Sequence, residues 1–432
     1  MKDYSPFISR RKRLLEKLEG VAIVPTAPHQ QRNRDSHYPY RFDSHFYYLT
    51  GFPEPEAVLV MAGGENPKSM LFCRERDEER EIWDGHRFGP VRAKEVFGFD
   101  EAHPVSALQG MLPELLKDQP SVYHPLGADE KWDAKVLAAL NAVRAQARSG
   151  VAAPENVADI RCLVDEMRLF KDDYEISLMR RAAQIASNAH RIAMRTASPG
   201  AREYEVEAEL FAEFRRSGAQ APSYTPIVAG GGNACILHYV ENDEMLRAGE
   251  LLLIDAGCEL DGYASDITRT FPVGGKFSAA QKDVYEIVLA AQLAAISEVK
   301  SGSTWDRPHE AAVRVLASGL VDLGLCRGSV DSVIESGDYR RFYMHRTGHW
   351  LGLDVHDVGS YKLGGKWRTL EPGMALTVEP GCYIRPSESV PEAFWNIGIR
   401  IEDDVVVTGE GCEILSFDAP KTVKEIEDWM AK

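Results

Sequence analysis

Apolar and polar positions change their spacing several times along the chain, and each change marks an expected element. Residues 5–20 repeat apolar side chains at helical spacing beside a basic face and stop at Gly20, which predicts an amphipathic helix. The short apolar runs VAIVPTA (21–27), FYYLTGF (46–52), AVLVMAG (57–63) and SMLFC (69–73), separated by Gly and Pro turns, predict buried strands. Helical spacing returns over 107–116 and 131–147. Strands alternating with helices predict an α/β domain, and the small-residue stretch SGVAAPE (149–155) predicts a linker after it. Further on, 164–195 and 203–217 read as helices, 224–275 as a strand-rich block, 279–299 and 307–323 as helices, and 373–408 as a second strand-rich block. That order suggests two similar half-domains, although no residue-level repeat accompanies it.

The stretch LLLIDAGCELDGYASDITRTFP (251–272) carries the first candidate chemistry. LLLID is a short apolar run ending in a carboxylate, and YASDITRTF alternates as a strand does. Asp261-Gly262 between them predicts a type I′ hairpin turn, which needs positive φ at both central residues. With that turn, residues whose numbers sum to 523 face each other, so Asp255 lies opposite Thr268. Asp266 is then the diagonal neighbour of Asp255 on the same face. Two carboxylates aimed at one point repel unless a cation or a proton sits between them. The plain alternative is a solvated surface hairpin, since carboxylates are mostly exposed.

Composition narrows the classes. The chain has 432 residues, 44% hydrophobic and 27% charged, which is ordinary for a globular protein of two or three domains. Its formal net charge of −16 argues against a nucleic-acid surface. The seven cysteines are scattered singly with no CxxC pair, so neither a disulfide framework nor a thiolate zinc site is expected, and a reducing, cytoplasmic location follows. No apolar run is long enough for a signal peptide or a membrane span.

Three later stretches hold side chains that could complete the aspartate pair. HRTGHWLGLDVHD offers His345, His349 and His356; it is not the zincin HExxH, and Gly348 and Gly352 argue against a helix. ALTVEPG is a strand that stops at Glu379 because Pro380 cannot donate to the ladder, with Thr377 and Glu379 on one face. GIRIEDD sets Arg400 and Glu402 side by side on its polar face. Singly, each has a plain reading: a satisfied histidine, a turn glutamate, a weak ion pair. Together they differ, because each carboxylate ends or interrupts an apolar run, where an unpaired charge would cost roughly several kcal/mol.

Asp255, Asp266, His349, Glu379 and Glu402, within IDAG–SDITRTF, GHWLGLDVHD, TVEPG and GIRIEDD, resemble the ligands of the dinuclear metallopeptidases of the pita-bread fold. Within that superfamily the chain most resembles the Xaa-Pro aminopeptidases (aminopeptidase P family), with DSHYPYRFDSHFYYLTGFPEPEAVLV (35–60) and EIWDGHRFG (81–89) extending the likeness over the N-terminal half. The resemblance implies a creatinase-like α/β N-terminal domain over 1–165 and an α+β pita-bread catalytic domain over 166–432. Four carboxylates and one imidazole form a hard, oxygen-rich donor set suited to Mn²⁺, Mg²⁺ or Co²⁺, and four negative charges call for two divalent ions. The family pattern makes Asp266 and Glu402 bridging ligands, places Asp255 on one metal and His349 with Glu379 on the other, and favours manganese. Such ions would activate a water and polarise the scissile carbonyl.

The same resemblance gives Glu379 a proton-shuttle role, has His238 and His356 hydrogen-bond the substrate, and puts His345 and Tyr361 on the proline side. It lets Arg400 orient His356 or a substrate carboxylate. Trp83 resembles a tryptophan contributed to an active site, including that of a neighbouring subunit. It implies peptide substrates with proline at position two and a homo-oligomer, dimer or tetramer. Prolidase, which cleaves Xaa-Pro dipeptides, shares the ligands and a comparable arginine, and only the N-terminal segment argues against it. Methionine aminopeptidases lack that segment, creatinase-type enzymes lack the metals, and the non-enzymatic pita-bread modules of histone chaperones typically lose ligands. Metal affinity is expected to rise between about pH 5 and pH 8 as His349 loses its proton.

Overall fold

The computed structural model describes residues 3–432, and the chain divides into two compact units between Met167 and Arg168. The first is built on a six-stranded mixed sheet in the order Glu101–Pro104, Lys68–Cys73, Val58–Ala62, Val21–Pro25, Ser121–His124, Asn156–Asp159. Val58–Ala62 runs antiparallel to both its neighbours, and the outer pairs are parallel. Leu108, Leu112 and Leu116 of one helix and Val136, Ala139, Leu140 and Val143 of another lie three or four residues apart, so each helix buries one stripe in this unit's core.

Two expectations fail here. The run 46–52, expected as a strand, lies in a helix, Ser44–Thr50. Asp43 caps it by accepting the Phe46 N–H at 2.8 Å, and Gly51, at φ 63°, ends it. All seven of its residues are buried, so it shows no polar face and reads as a strand by its aromatic content. The stretch 149–155, expected as a linker, instead returns the chain to the sheet edge. Ala152 and Asp118 exchange hydrogen bonds there, and Asn156–Asp159 then pairs in parallel with Ser121–His124.

The second unit begins with two helices where one was expected. Arg161–Leu169 straddles the division, and Asp173–Thr196 starts afresh from a capping box between Asp172 and Glu175. Asp173–Thr196 packs on Glu203–Arg216, and Ala279–Glu298 on Arg307–Asp322. These helix pairs cover short antiparallel sheets. One orders Ile227–Gly230, Leu251–Asp255 and Thr268–Pro272; another orders Ala375–Val378, Asp403–Val407 and Cys412–Ile414; Gly381–Ile384 pairs with Ile397–Arg400. No helix among the described residues is long and apolar enough to cross a membrane.

The long hairpin has the expected register. Asp255 faces Thr268 and Leu260 faces Tyr263, and φ is positive at Asp261 (50°) and Gly262 (86°). It bends between its two halves, where Gly257 lies so close to the Ser265 carbonyl that a Cβ would sit 1.7 Å from its oxygen. The two aspartates lie at this bend.

Candidate metal centre

Leu251–Asp255 delivers Asp255 at its last position, and the partner chain of the hairpin delivers Asp266 just before Thr268. The Tyr224 hydroxyl lies between them, in hydrogen-bond contact with Asp255 Oδ1 and with Asp266 Oδ1 at 2.5 Å. The far oxygen of Asp255 accepts from Arg400 Nη2 at 2.6 Å. Glu402 Oε2 accepts from the Thr268 hydroxyl at 2.6 Å, so the residue opposite Asp255 aims a third carboxylate.

His349 enters from the other side. Its Nδ1 lies 2.9 Å from the Trp350 carbonyl, which can only accept, so the neutral ring presents a bare Nε2 to the carboxylates. That Nε2 is 3.3 Å from Asp266 Oδ2 and 3.7 Å from Glu379 Oε1. Ligand atoms of Asp266, His349 and Glu402 all fall within 4.8 Å of one another. Segment 347–351 pairs with Ala375–Val378 and on to Glu379: Glu379 N–H donates to Thr347, and Thr377 N–H to His349. All five expected ligands therefore line one buried cup. Four carboxylates face one imidazole and one fixed cation, Arg400. That donor set fits hard divalent cations and excludes a thiolate site.

The relationships of the chain agree with that chemistry. Residues 177–409 match the metallopeptidase family M24, and residues 7–123 match the aminopeptidase P N-terminal domain. The Xaa-Pro aminopeptidase of Escherichia coli strain K12 is 47% identical over 428 residues, 98% of this chain and 97% of that protein. The chain belongs to metallopeptidase family M24. A solved structure of Pseudomonas aeruginosa aminopeptidase PepP superposes with a TM-score of 0.98 at 50% identity, covering 100% of this chain and 98% of that one. Escherichia coli aminopeptidase P in complex with substrate superposes at 0.97 and 46% identity, with coverage of 100% and 98%. The second unit is thus the pita-bread catalytic domain of an M24 enzyme, preceded by an aminopeptidase P N-terminal domain.

The M24 centre is electrostatically loaded. Burial pushes the Glu379 carboxyl up to about 7, against the attraction of His349 and with the repulsion of Asp266. Burial and the neighbouring carboxylates push Glu402 well above the carboxylate range. Burial also raises Asp255, despite Arg400. Asp266 moves down, because the His349 and Tyr224 hydrogen bonds overcome its burial. Burial alone would lower His349, but Asp266 and Glu379 carry it up to about 9.

The remaining expected residues divide. His345 is half-buried, with Nε2 2.9 Å from the Tyr383 hydroxyl and Nδ1 3.8 Å from Glu379 Oε2; burial and Arg400 bring it down to about 4, so it is neutral. His356 is exposed, and its ring centroid sits 4.3 Å from that of His349. His238 is exposed on a turn after the short helix Gly231–Cys235. Tyr361 stacks on Trp350 with 5.5 Å between ring centroids and lies 4.6 Å from Trp305. Trp83 belongs to the N-terminal unit, on the helix Glu78–Asp84, and is 84% exposed.

Arg400 departs from expectation. It was expected to orient His356 or a substrate carboxylate, yet its three nitrogens donate to Asp255 Oδ2, to the Tyr383 hydroxyl at 2.9 Å and to Thr268 Oγ1 at 3.1 Å. It is buried between strands and holds the far oxygen of Asp255. Sequence reasoning also missed Tyr224, Tyr383 and Asp404, whose carboxylate accepts the Asp266 N–H at 3.1 Å. Asp404 carries a signal in hindsight: it is the second acid after Glu402 in an apolar strand. Tyr224 carries none, since only the pairing of Ile227 with Asp255 brings it near.

Proposed function

We propose that this chain is a metal-dependent Xaa-Pro aminopeptidase, hydrolysing the bond between the N-terminal residue and a proline in second position. The observation that carries this reading is the convergence of Asp255, Asp266, His349, Glu379 and Glu402 in one buried cup. The N-terminal domain match favours the aminopeptidase over prolidase. The cup would hold two divalent ions through Asp255, Asp266, His349, Glu379 and Glu402; the hard donor set suits Mn²⁺, Mg²⁺ or Co²⁺, and the family resemblance favours manganese. When bound, the ions supply Lewis-acid activation of water and of the scissile carbonyl.

The chain's own groups account for the rest. A bond to proline leaves a tertiary nitrogen with no N–H, which must gain a proton as it departs. Glu379, whose Oε2 lies 3.8 Å from His345 Nδ1, is the carboxylate to which the family resemblance gives the shuttle role. His238 and His356, exposed beside the cup, donate hydrogen bonds to substrate carbonyls, while Arg400 holds Asp255. His345 and the face of Tyr361, backed by Trp350 and Trp305, suit an apolar proline ring. Trp83, large and exposed on a helix with no buried residue, fits a contact with a second copy's site, in a dimer or tetramer. The absence of paired cysteines suits the cytoplasm. We place the domain boundary at 165/166, as the resemblance implies.

The test is substrate choice by the metal-reconstituted protein. Xaa-Pro-Yaa tripeptides should be cleaved well and Xaa-Pro dipeptides poorly, with metal content approaching two ions per chain. The reverse preference assigns prolidase activity, and a stable metal content near zero removes the mechanism.

A further inference from the structure

The ladder that carries the candidate ligands has a terminal rung at one end. Leu351 N–H donates to Ala375 O at 3.0 Å, Thr377 N–H to His349 O at 3.0 Å, and Glu379 N–H to Thr347 O at 2.8 Å. Beyond Glu379 comes Pro380, which has no N–H to continue the ladder. On the facing segment the Arg346 carbonyl lies 2.7 Å from His345 Nδ1. The Thr347–Glu379 rung is therefore terminal, and terminal rungs open first unless something else holds them. Here the rung includes Glu379 itself and lies two residues from both His345 and His349, where a small change of aim matters most.

The Thr347 side chain holds it. The residue is 3% exposed, and its Oγ1 lies 2.6 Å from the Tyr343 hydroxyl and 2.8 Å from His309 Nδ1. His309 stands in the first turn of Arg307–Asp322, so the rung is tied sideways to a helix outside its own sheet. Tyr343 is fully buried, and its ring meets His345 edge-on at 4.9 Å. The next residue leaves no slack: a Cβ on Gly348 would fall 2.0 Å from the Thr377 carbonyl oxygen. A valine would fill the same volume as Thr347, so packing alone does not call for a hydroxyl at this point.

We propose that Thr347 is a positioning residue for the metal centre: its hydroxyl, held between His309 and Tyr343, fixes the last rung and with it the aim of Glu379, His349 and His345. The proposal rests on the metallopeptidase reading above. Three variants of the full-length protein test it: Thr347→Val, Thr347→Ser and Tyr343→Phe. Mn²⁺ affinity of the metal-stripped protein is measured by calorimetry, alongside kcat and KM on an Xaa-Pro-Yaa tripeptide and the thermal midpoint. Thr347→Val should weaken Mn²⁺ binding about tenfold and lower kcat with a smaller change in KM, as loss of an outer partner does at metal sites. Thr347→Ser, which keeps the hydroxyl, should restore both.

A Thr347→Val protein with a lower midpoint but unchanged Mn²⁺ affinity would overturn the proposal, since the hydroxyl would then serve stability alone. So would a Thr347→Ser protein as impaired as Thr347→Val, which would trace the effect to the methyl group. If Thr347→Val does not fold, Tyr343→Phe removes one anchor of the hydroxyl, and unchanged affinity there overturns it equally. Wild-type protein that binds no Mn²⁺ would instead remove the metallopeptidase reading beneath it.

Discussion

Metal binding at this centre should release protons, and His349 sets the pH at which it does so. An ordinary imidazole would be deprotonated by pH 7, which is why affinity was expected to level off near pH 8. The structure moves that window upward. Asp266 Oδ2 at 3.3 Å and Glu379 Oε1 at 3.7 Å hold the proton on Nε2 and carry the group to about 9. Because Nε2 must be bare to ligate, affinity should fall about tenfold for each pH unit below 9, or about a hundredfold by pH 7. Protons leaving Glu379 and Glu402, both raised, steepen this further. The assay is Mn²⁺ calorimetry from pH 6 to pH 9.5 in buffers of different ionisation enthalpy, which counts the protons released. Affinity that is flat from pH 7 to pH 9, with no proton release, would refute the argument. A linked effect has the opposite slope. A raised histidine stabilises the metal-free fold fully below its unfolded value of 6.5, and that stability is lost as pH rises through about 9. The shift amounts to about 3 kcal/mol at about 1.4 kcal/mol per unit. The metal-free protein should therefore lose thermal stability between about pH 6.5 and pH 9.

Two further substitutions probe parts of the same unit. Tyr224→Phe removes the hydroxyl shared by Asp255 and Asp266 and should cost about 10–100-fold in metal affinity or kcat, with the fold intact; unchanged values would exclude Tyr224 from the centre. Asp357→Asn should lower stability by about 3–5 kcal/mol in urea unfolding, because it takes the carboxylate from buried Lys171 and leaves buried Arg168 with Asp354 alone, each cation about 1% exposed on its side chain. An unchanged urea midpoint would show that these cations find other partners.

The five side chains that line the cup were legible because their local chemistry is loud. Each carboxylate ends or interrupts an apolar run, and Asp261-Gly262 admits one hairpin register, which puts Asp255 opposite Thr268. What could not be read depends on pairing between distant strands. Tyr224 reaches the aspartates only because Ile227 pairs with Asp255, and Arg400 meets Asp255 across 145 residues. The helix Ser44–Thr50 was hidden for another reason: burial on all sides removes the polar face that gives a helix its period. The stretch 149–155 has the composition of a linker, yet the strand it feeds closes the sheet edge.

The arrangement of charge explains why so many acids can share one small volume. With no cation present, the repulsion among Asp255, Asp266, Glu379 and Glu402 must be met by protons, and burial raises three of the four to accept them. Asp266 alone is lowered, because the His349 imidazole faces it and the Tyr224 hydroxyl donates to it. Asp404, behind Asp266, is raised well above the carboxylate range by burial and by Asp266 itself, while its oxygens accept the Asp266 N–H. The negative charge of the metal-free cup is thereby concentrated on the one carboxylate assigned as a shared ligand. Arg400 and Thr268 fix the oxygens of Asp255 and Glu402 on either side of it, so that protons can leave without the oxygens moving. An exchange of protons for cations on a fixed set of oxygens is what a preorganised metal site requires.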